Sequence, residues 1–357
     1  MSSKERNTIT SPSFFIGKQG GEMISFGSGQ PDLAPPQEVY DVLPSIREFR
    51  YGLIQGQKAL REGIAKEYPD SDVDNFVITN GASEALDLSL RSIERKSEKK
   101  KILIPRPYYY SYPFIAEFAG LEPVYTDLEK GKINITDLEE KVTECAAVLI
   151  NSPSNPTGRI ESIETLKEIE RLSAQHGFYI VSDEVYKDLI YERENYLIQG
   201  DHVITINSFS KTYGMCGYRV GYAYSVDKEI IRDIIEMKTH TSMNTSMVAQ
   251  EMAIAALNTP RTYVDEHVRI WKERRDRIYN GLRDLGLDVW KPEGAFYVFP
   301  AMEQSSKAVN DLYYDHNVIV YDGAWFGAPG RIRLSYALDV EKIDEGLRRI
   351  GEYINNR

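Results

Sequence analysis

The reading of this chain turns on Ser208-Phe-Ser-Lys-Thr-Tyr-Gly-Met-Cys-Gly-Tyr-Arg-Val-Gly-Tyr222. An apolar run, Val203-Ile-Thr-Ile206, leads into it, and Val220-Gly-Tyr-Ala-Tyr224 alternates like a second strand on the far side. Between the two, Lys211 sits among small hydroxylic residues and glycines, with Arg219 one short loop away. An amine held in a tight polar turn, with an arginine to hold an anion beside it, suits an imine-forming lysine next to a phosphorylated cofactor. The stretch alone also admits a blander reading, a surface turn carrying an ordinary lysine. What separates the two readings is the chemistry at the other strand ends.

Working outward, the strand before it, Phe178-Tyr-Ile-Val181, ends at Ser182-Asp-Glu-Val-Tyr186. Ala146-Ala-Val-Leu-Ile150 ends at Asn151-Ser-Pro-Ser-Asn-Pro-Thr-Gly158, and a helix follows with Ile163, Leu166, Ile169 and Leu172 on one face. Lys101-Ile-Leu-Ile104 ends at Pro105-Arg-Pro-Tyr-Tyr-Tyr-Ser-Tyr-Pro113, and a short strand is expected at Glu122-Pro-Val-Tyr125. Phe76-Val-Ile-Thr-Asn-Gly-Ala-Ser-Glu-Ala-Leu86 reads as strand, glycine turn and helix start, a ready phosphate site because free N–H groups and the helix dipole face the anion. Short apolar runs alternating with helices mean a mostly parallel sheet covered on both faces. Ligands in such sheets bind at the carboxyl ends of the strands. Here those ends carry Gly81 to Ser83, Tyr109, Asn155, Asp183 with Tyr186, and Lys211.

The flanks differ in rhythm. Met23-Ile-Ser-Phe-Gly-Ser-Gly-Gln-Pro-Asp32 is a short strand running into a turn, Val39 to Phe49 has helical spacing, and an amphipathic helix is expected near Gln57 to Tyr68. Beyond Tyr224, helices are expected at about 228–239 and 247–257, then a long connector from Tyr263 to about Leu285. The remainder reads as a small α+β unit: strand 296–299, helix 305–316, strands 318–320 and 332–335, and helix 340–354. The polar N-terminal segment is expected to pack with it. The expected division is a large unit at 40–262 and a small unit built from 1–39 and 263–357.

Composition sets the bounds. A chain of 357 residues exceeds one ordinary domain. Its net charge of −11 argues against nucleic-acid and anionic-membrane partners. Cys145 and Cys216 make no metal spacing or disulfide framework, which fits a reducing cytoplasm. The start, Met1-Ser-Ser-Lys-Glu-Arg-Asn, lacks an apolar signal core, and no apolar run is long enough to span a membrane. Five scattered histidines argue against metal catalysis, and neither a Walker A loop nor G-x-S-x-G is present.

The strand ends then combine. Lys211 can form an imine with an aldehyde, and a carboxylate at Asp183 can hold a pyridine nitrogen protonated. Tyr186 and Asn155 can hydrogen-bond a phenolic oxygen, and Tyr109 can stack on a flat ring. Gly81, Ala82, Ser83, Ser208 and Arg219 offer N–H, hydroxyl and guanidinium donors to a phosphate. Together these groups describe a pocket for pyridoxal 5'-phosphate.

Asn155-Pro-Thr-Gly158, Ser182-Asp-Glu-Val-Tyr186 and Ser208-Phe-Ser-Lys211 followed by Arg219 resemble the signatures of the class I/II aminotransferases of fold-type I. The likeness continues in Gly27-Ser-Gly-Gln-Pro-Asp32, Gly294-Ala-Phe-Tyr297 and Arg331-Ile-Arg-Leu-Ser-Tyr-Ala337, so it runs in order through nearly the whole chain. It implies an α/β fold, with a mostly parallel seven-stranded sheet between helices in the large domain and a smaller α+β domain. It further implies that Lys211 carries the cofactor as an aldimine, that Asp183 partners the pyridinium, and that Tyr186 and Asn155 partner the ring oxygen. Tyr109 falls where many relatives carry a stacking tryptophan, with Tyr108 and Tyr110 as neighbouring candidates. Arg333 matches the arginine that grips the substrate α-carboxylate, with Gly29 and Asn155 beside it. Tyr51, in Tyr51-Gly-Leu-Ile-Gln-Gly56, resembles the tyrosine that reaches the phosphate of a neighbouring subunit, which implies a homodimer with shared sites; Asn244 is a second candidate for such a contact. The implied reaction moves an amino group between a 2-amino acid and a 2-oxo acid, with glutamate and 2-oxoglutarate as one pair. A lyase, decarboxylase or synthase using the same cofactor is the alternative. Two departures from the family pattern stand out: the segment before Phe26 is short, and Ser83 stands where the aspartate-specific prokaryotic branch often has lysine.

Overall fold

The apolar runs in the middle of the chain become one sheet in the computed structural model, which describes residues 8–16, 22–47, 50–69, 71–129, 131–192 and 194–356. In chain order the elements up to the end of that sheet are β1 (Ile24–Ser25), α1 (Gln37–Asp41), α2 (Lys58–Ala65), β2 (Phe76–Thr79), α3 (Ala82–Lys96), β3 (Lys101–Arg106), α4 (Tyr112–Phe118), β4 (Glu122–Glu129), β5 (Lys132–Ile133), α5 (Ile135–Val142), β6 (Cys145–Asn151), α6 (Ile163–His176), β7 (Tyr179–Asp183), β8 (Val203–Ser208), α7 (Phe209–Thr212) and β9 (Gly221–Tyr224). The strands lie in the order β2-β9-β8-β7-β6-β3-β4-β5. β8, β7, β6, β3 and β4 pair in parallel, whereas β9 runs antiparallel to both β2 and β8.

Both faces of this sheet are covered, which is why the centres of its strands, such as Ala146–Ile150 and Ile102–Ile104, are apolar on both faces. Alternation within them still sorts the side chains. Ile102, Ile104, Ala147 and Leu149 face α3 and α8 (Lys228–His240) with Leu86, Leu90, Ile93, Ile230 and Ile234. Leu103, Val148 and Ile150 face α5 and α6 with Leu138, Leu166, Ile169 and Leu172. The period of two places a separate core on each side.

The chain continues with α9 (Met247–Leu257), α10 (Thr262–Asp284), β10 (Tyr297–Val298), α11 (Ser305–His316), β11 (Val318–Ile319), β12 (Tyr321–Asp322), β13 (Ile332–Ser335) and α12 (Val340–Asn355). β10, β13 and β12 form an antiparallel three-stranded sheet, and β1 pairs in parallel with β11. Ile9, Phe15, Ile24 and Phe26 share a core with Val318, Ile319, Ile343 and Ile350, so the described N-terminal residues pack on the C-terminal unit.

Several expectations need correction, among them the strand expected at Glu122–Tyr125, which runs on to Glu129, and the strand expected at 318–320, which ends at Ile319. The large sheet has an eighth strand, the two-residue β5, which pairs antiparallel with β4. The helix expected from Val39 to Phe49 stops at Asp41 and gives way to a 3-10 turn at Leu43–Ser45. Pro44 has no N–H for an α-helical bond, and its ring crowds the preceding turn; Phe49 lies outside the described residues. The strand expected at 296–299 narrows to Tyr297–Val298. Among the described residues no helix is long and apolar enough to cross a membrane.

Candidate active site

The carboxyl ends of β6, β7 and β8, the start of α3 and the turn after β3 meet the three-stranded sheet around a cavity of about 560 Å³. That volume suits a drug-sized ligand.

Lys211 enters it from α7. The helix is held at its start by Ser208, whose Oγ accepts the N–H of Ser210 at 3.1 Å. The buried Nζ donates to the Gly29 carbonyl at 2.5 Å, and burial holds its pKa below the ordinary lysine value. A lysine so placed is more readily neutral, which is the nucleophilic and proton-accepting form.

Asp183 closes β7. Its Oδ2 accepts the Tyr112 hydroxyl at 2.6 Å and its Oδ1 accepts the Val185 N–H at 3.2 Å. Burial nevertheless pushes its pKa above the usual carboxylate range. A cation brought against this carboxylate would therefore gain a strong, water-shielded partner.

Tyr186, at the turn beyond β7, shares a hydrogen bond with Tyr297 across 2.8 Å between hydroxyls, and Lys211 Nζ lies 6.0 Å from its ring centroid. The Tyr297 hydroxyl also donates to the Gly29 carbonyl at 3.2 Å. Asn151 ties two strand ends together: its Oδ1 accepts the Asn155 N–H at 2.8 Å and its Nδ2 donates to the Asp183 carbonyl at 3.0 Å. Asn155 Oδ1 in turn accepts from Arg333 Nη1 at 3.1 Å.

Arg333 lies on β13 directly across from Tyr321 on β12 and is only 1% exposed. Its Nη2 donates to the Gly27 carbonyl at 2.6 Å, while its buried Nε has no partner. Its guanidinium sits over the rings of Tyr297 and Tyr321 at 4.6 Å and of Phe326 at 5.1 Å. At the other end of the cavity, Arg219 donates to the carbonyls of Cys216 at 3.0 Å and Asn80 at 3.3 Å. It holds a left-handed φ of 57°, unusual for a side chain of this size. Gly81 caps α3 beneath it, and a Cβ at that glycine would stand 2.2 Å from Arg219 Nη2.

Among the described residues lining the cavity, Lys211, Arg219 and Arg333 are the cations and Asp183 is the one carboxylate. Neither arginine forms an ion pair with a carboxylate among the described residues; their bonds go to carbonyl oxygens. Arg333 is buried, and a buried guanidinium without a counter-ion is costly to hold, so an anion would satisfy it; the exposed Arg219 offers an anion the same donor chemistry at lower cost. The set can take a phosphate at Arg219 and the α3 N-terminus, and a carboxylate at Arg333, whose spare Nε completes a fork.

Ala82, Ser83, Tyr109, Asn155, Asp183, Tyr186, Ser208, Lys211, Arg219, Gly29 and Arg333 all line this cavity. Gly81 supports it from below. Of the three consecutive tyrosines, Tyr109 and Tyr110 line it, whereas Tyr108 stacks on Tyr125 with ring centroids 5.4 Å apart. Tyr51 stands outside, 81% exposed, so it is not a core tyrosine of its own chain. Asn244 makes a local bond to the Thr245 carbonyl and does not line the cavity. Sequence reasoning gave no role to Asn151, Tyr112, Tyr297, Tyr321 or Cys216, all of which line it. Asn151 and Tyr112 lay within strand-end stretches, but their partners are 32 and 71 residues away in the chain.

A family model described as aminotransferase class I and II matches residues 21–350. A probable aspartate/prephenate aminotransferase of Aquifex aeolicus is 35% identical, with 96% of this chain and 94% of that protein covered. A probable aspartate aminotransferase of Methanocaldococcus jannaschii is also 35% identical, with 93% of each covered. The crystal structure of an aspartate aminotransferase from Thermotoga maritima superposes with a TM-score of 0.90 at 31% identity, covering 96% of this chain and 95% of that one.

Proposed function

The chain belongs to the aminotransferase class I and II family, and from that premise we propose that the cavity around Lys211 is where it exchanges an amino group between a 2-amino acid and a 2-oxo acid. It is a pyridoxal-phosphate-dependent aminotransferase. The cofactor, when bound, supplies an electrophilic carbonyl carbon and a ring that withdraws electrons from the substrate α-carbon.

The chain's own residues do the rest. Arg219, the Ser208 hydroxyl and the N–H groups of Ala82 and Ser83 would hold the phosphate, with Gly81 leaving room for the guanidinium above it. Asp183, oriented by Tyr112, would oppose the cofactor's ring nitrogen and favour its protonated form. Tyr186 and Asn155 would donate to the ring oxygen, and Tyr109 would lie against the ring face. Arg333 takes the substrate α-carboxylate through its planar fork, beside Asn155 and the Gly29 backbone, and so fixes the α-carbon against Lys211. Lys211, beside the α-carbon that Arg333 positions, would take the proton from that carbon; its depressed pKa favours the neutral form this needs.

In this reading residues 40–262 hold the cofactor, and residues 1–39 with 263–357 bring Gly29 and Arg333 over it. Tyr51 reaches the phosphate of a second copy, so the active unit is a homodimer. Glutamate and 2-oxoglutarate form one exchange pair, and the unpaired Cys145 and Cys216 suit a cytoplasmic protein.

The observation that carries the proposal is the meeting of Lys211, whose pKa desolvation lowers, with two arginines that lack carboxylate partners among the described residues, in a cavity lined by one acid. The test is a half-reaction. With bound pyridoxal phosphate and an amino acid but no acceptor, one equivalent of oxo acid per site should form as the cofactor absorbance changes to that of the aminated form. Continued oxo-acid release without acceptor would instead mean elimination chemistry.

A further inference from the structure

The helix whose start faces the phosphate is capped in an unusual way. Gly81 stands at its N-cap position and has no side chain to offer the first N–H groups, which stay available to an anion. Glu84, in the first turn, reaches back instead. It accepts the Asn80 backbone N–H at 2.6 Å and the Asn80 side-chain amide at 3.1 Å. Asn80 is thereby fixed with its carbonyl toward Arg219, whose Nη2 donates to it at 3.3 Å.

This grip brings a carboxylate to the very turn that would receive a phosphate, and like charges so close repel. Lys238 offsets it. From α8, its Nζ donates to Glu84 Oε2 at 3.0 Å and to Ser242 Oγ at 2.9 Å. Burial would raise the Glu84 carboxyl, yet hydrogen bonds from Ser242, Asn80 and Lys238 hold it below the usual carboxylate range, so it is ionised at neutral pH. The Lys238 side chain is fully buried within its own chain, so the pair is complete without a second copy.

Resting on the phosphate placement given above, we propose that Glu84 and Lys238 are positioning residues for the cofactor's phosphate. Glu84 holds the turn between β2 and α3 open toward the anion, and Lys238 cancels the charge that Glu84 sets beside it. Neither side chain lines the cavity, so both act through Asn80, Arg219 and the local field.

The full chain, freed of cofactor, is titrated with pyridoxal phosphate and with pyridoxal, which lacks the phosphate, and the ratio of the two Kd values is read. Lys238→Met leaves the Glu84 carboxylate unpaired, so the preference for the phosphorylated ligand should fall about tenfold or more. Lys238→Gln is the alternative if that protein does not fold. Glu84→Gln combined with Lys238→Met keeps an oxygen for the Asn80 N–H and removes both charges, so most of the preference should return. A folded single variant that keeps the wild-type ratio, or loses affinity for both ligands equally, would overturn the proposal. So would a double variant no better than the single one. Equal affinity of the wild type for both ligands would remove the phosphate site and the proposal with it. If the ratios behave as expected while no amino donor yields oxo acid, the transamination reading fails and the role of the Glu84–Lys238 pair stands.

Discussion

Lys211 was legible because its neighbours in the chain are also its neighbours in space: Ser208 caps its helix and Arg219 follows within the same loop. Arg333 was legible as a candidate but not in its setting, since an alternating strand does not say which face is buried. Tyr297 and Asn151 were not legible, because their roles come from hydroxyls and amides of remote segments. Two predictions belong at this scale. Asp183→Asn keeps the shape and removes the charge opposing the ring nitrogen, so kcat should fall by about a hundredfold or more while the cofactor stays bound. Equal turnover in single-turnover absorbance measurements would refute that role. Arg333→Lys keeps the charge but loses the fork, so kcat/KM for α-amino acids should drop by about 2 kcal/mol, or roughly thirtyfold. Amines without the α-carboxylate should change little, and an equal loss for both would make Arg333 structural.

Elements were read best where burial is two-sided: β6 is apolar from Cys145 to Ile150, and β8 is buried throughout although Thr205, Asn207 and Ser208 interrupt its apolar residues. The two-residue β5 has no sequence pattern of its own. It is fixed from outside, by the Glu161 carboxylate accepting the Ile133 N–H at 3.3 Å while the Glu161 N–H donates to Ser152 Oγ at 3.0 Å. Burial pushes the Glu161 pKa up to about 7, so between the unfolded and folded values the native state binds more protons. Its contribution to stability therefore declines as pH rises through that window. Glu161→Gln should flatten the decline: denaturant midpoints measured from about pH 5 to 8 should converge with wild type at the acid end and exceed it at the alkaline end. A parallel offset across the range would contradict the titration. At the start of α3, Gly81→Ala should cost about 1 kcal/mol or more of stability, because the residue holds φ +80° and the added Cβ meets Arg219. It should also weaken phosphate binding, read as loss of inorganic-phosphate protection against thermal unfolding. Retained protection would separate the glycine from the anion site.

At the scale of the molecule, the packing of Ile9 and Phe15 with the C-terminal unit follows from apolar residues that no local period could assign. The exposed Tyr51 is one of several large side chains that a single chain leaves uncovered, with Leu53 nearby in the sequence. If it serves a neighbouring subunit, refolding Lys211→Ala together with Tyr51→Ala should restore activity, because a mixed dimer then holds one site with both native residues. Activity that stays low in the mixture would place Tyr51 in its own subunit's site or in none. The central claim, that Lys211 is the residue joined to the cofactor and released by substrate, is tested most directly by borohydride reduction of the holoenzyme followed by peptide mapping. The adduct should map to Lys211 alone and should disappear when an amino donor is added before reduction. An adduct on any other lysine, or one on Lys211 that a reactive donor leaves undiminished, would contradict the account.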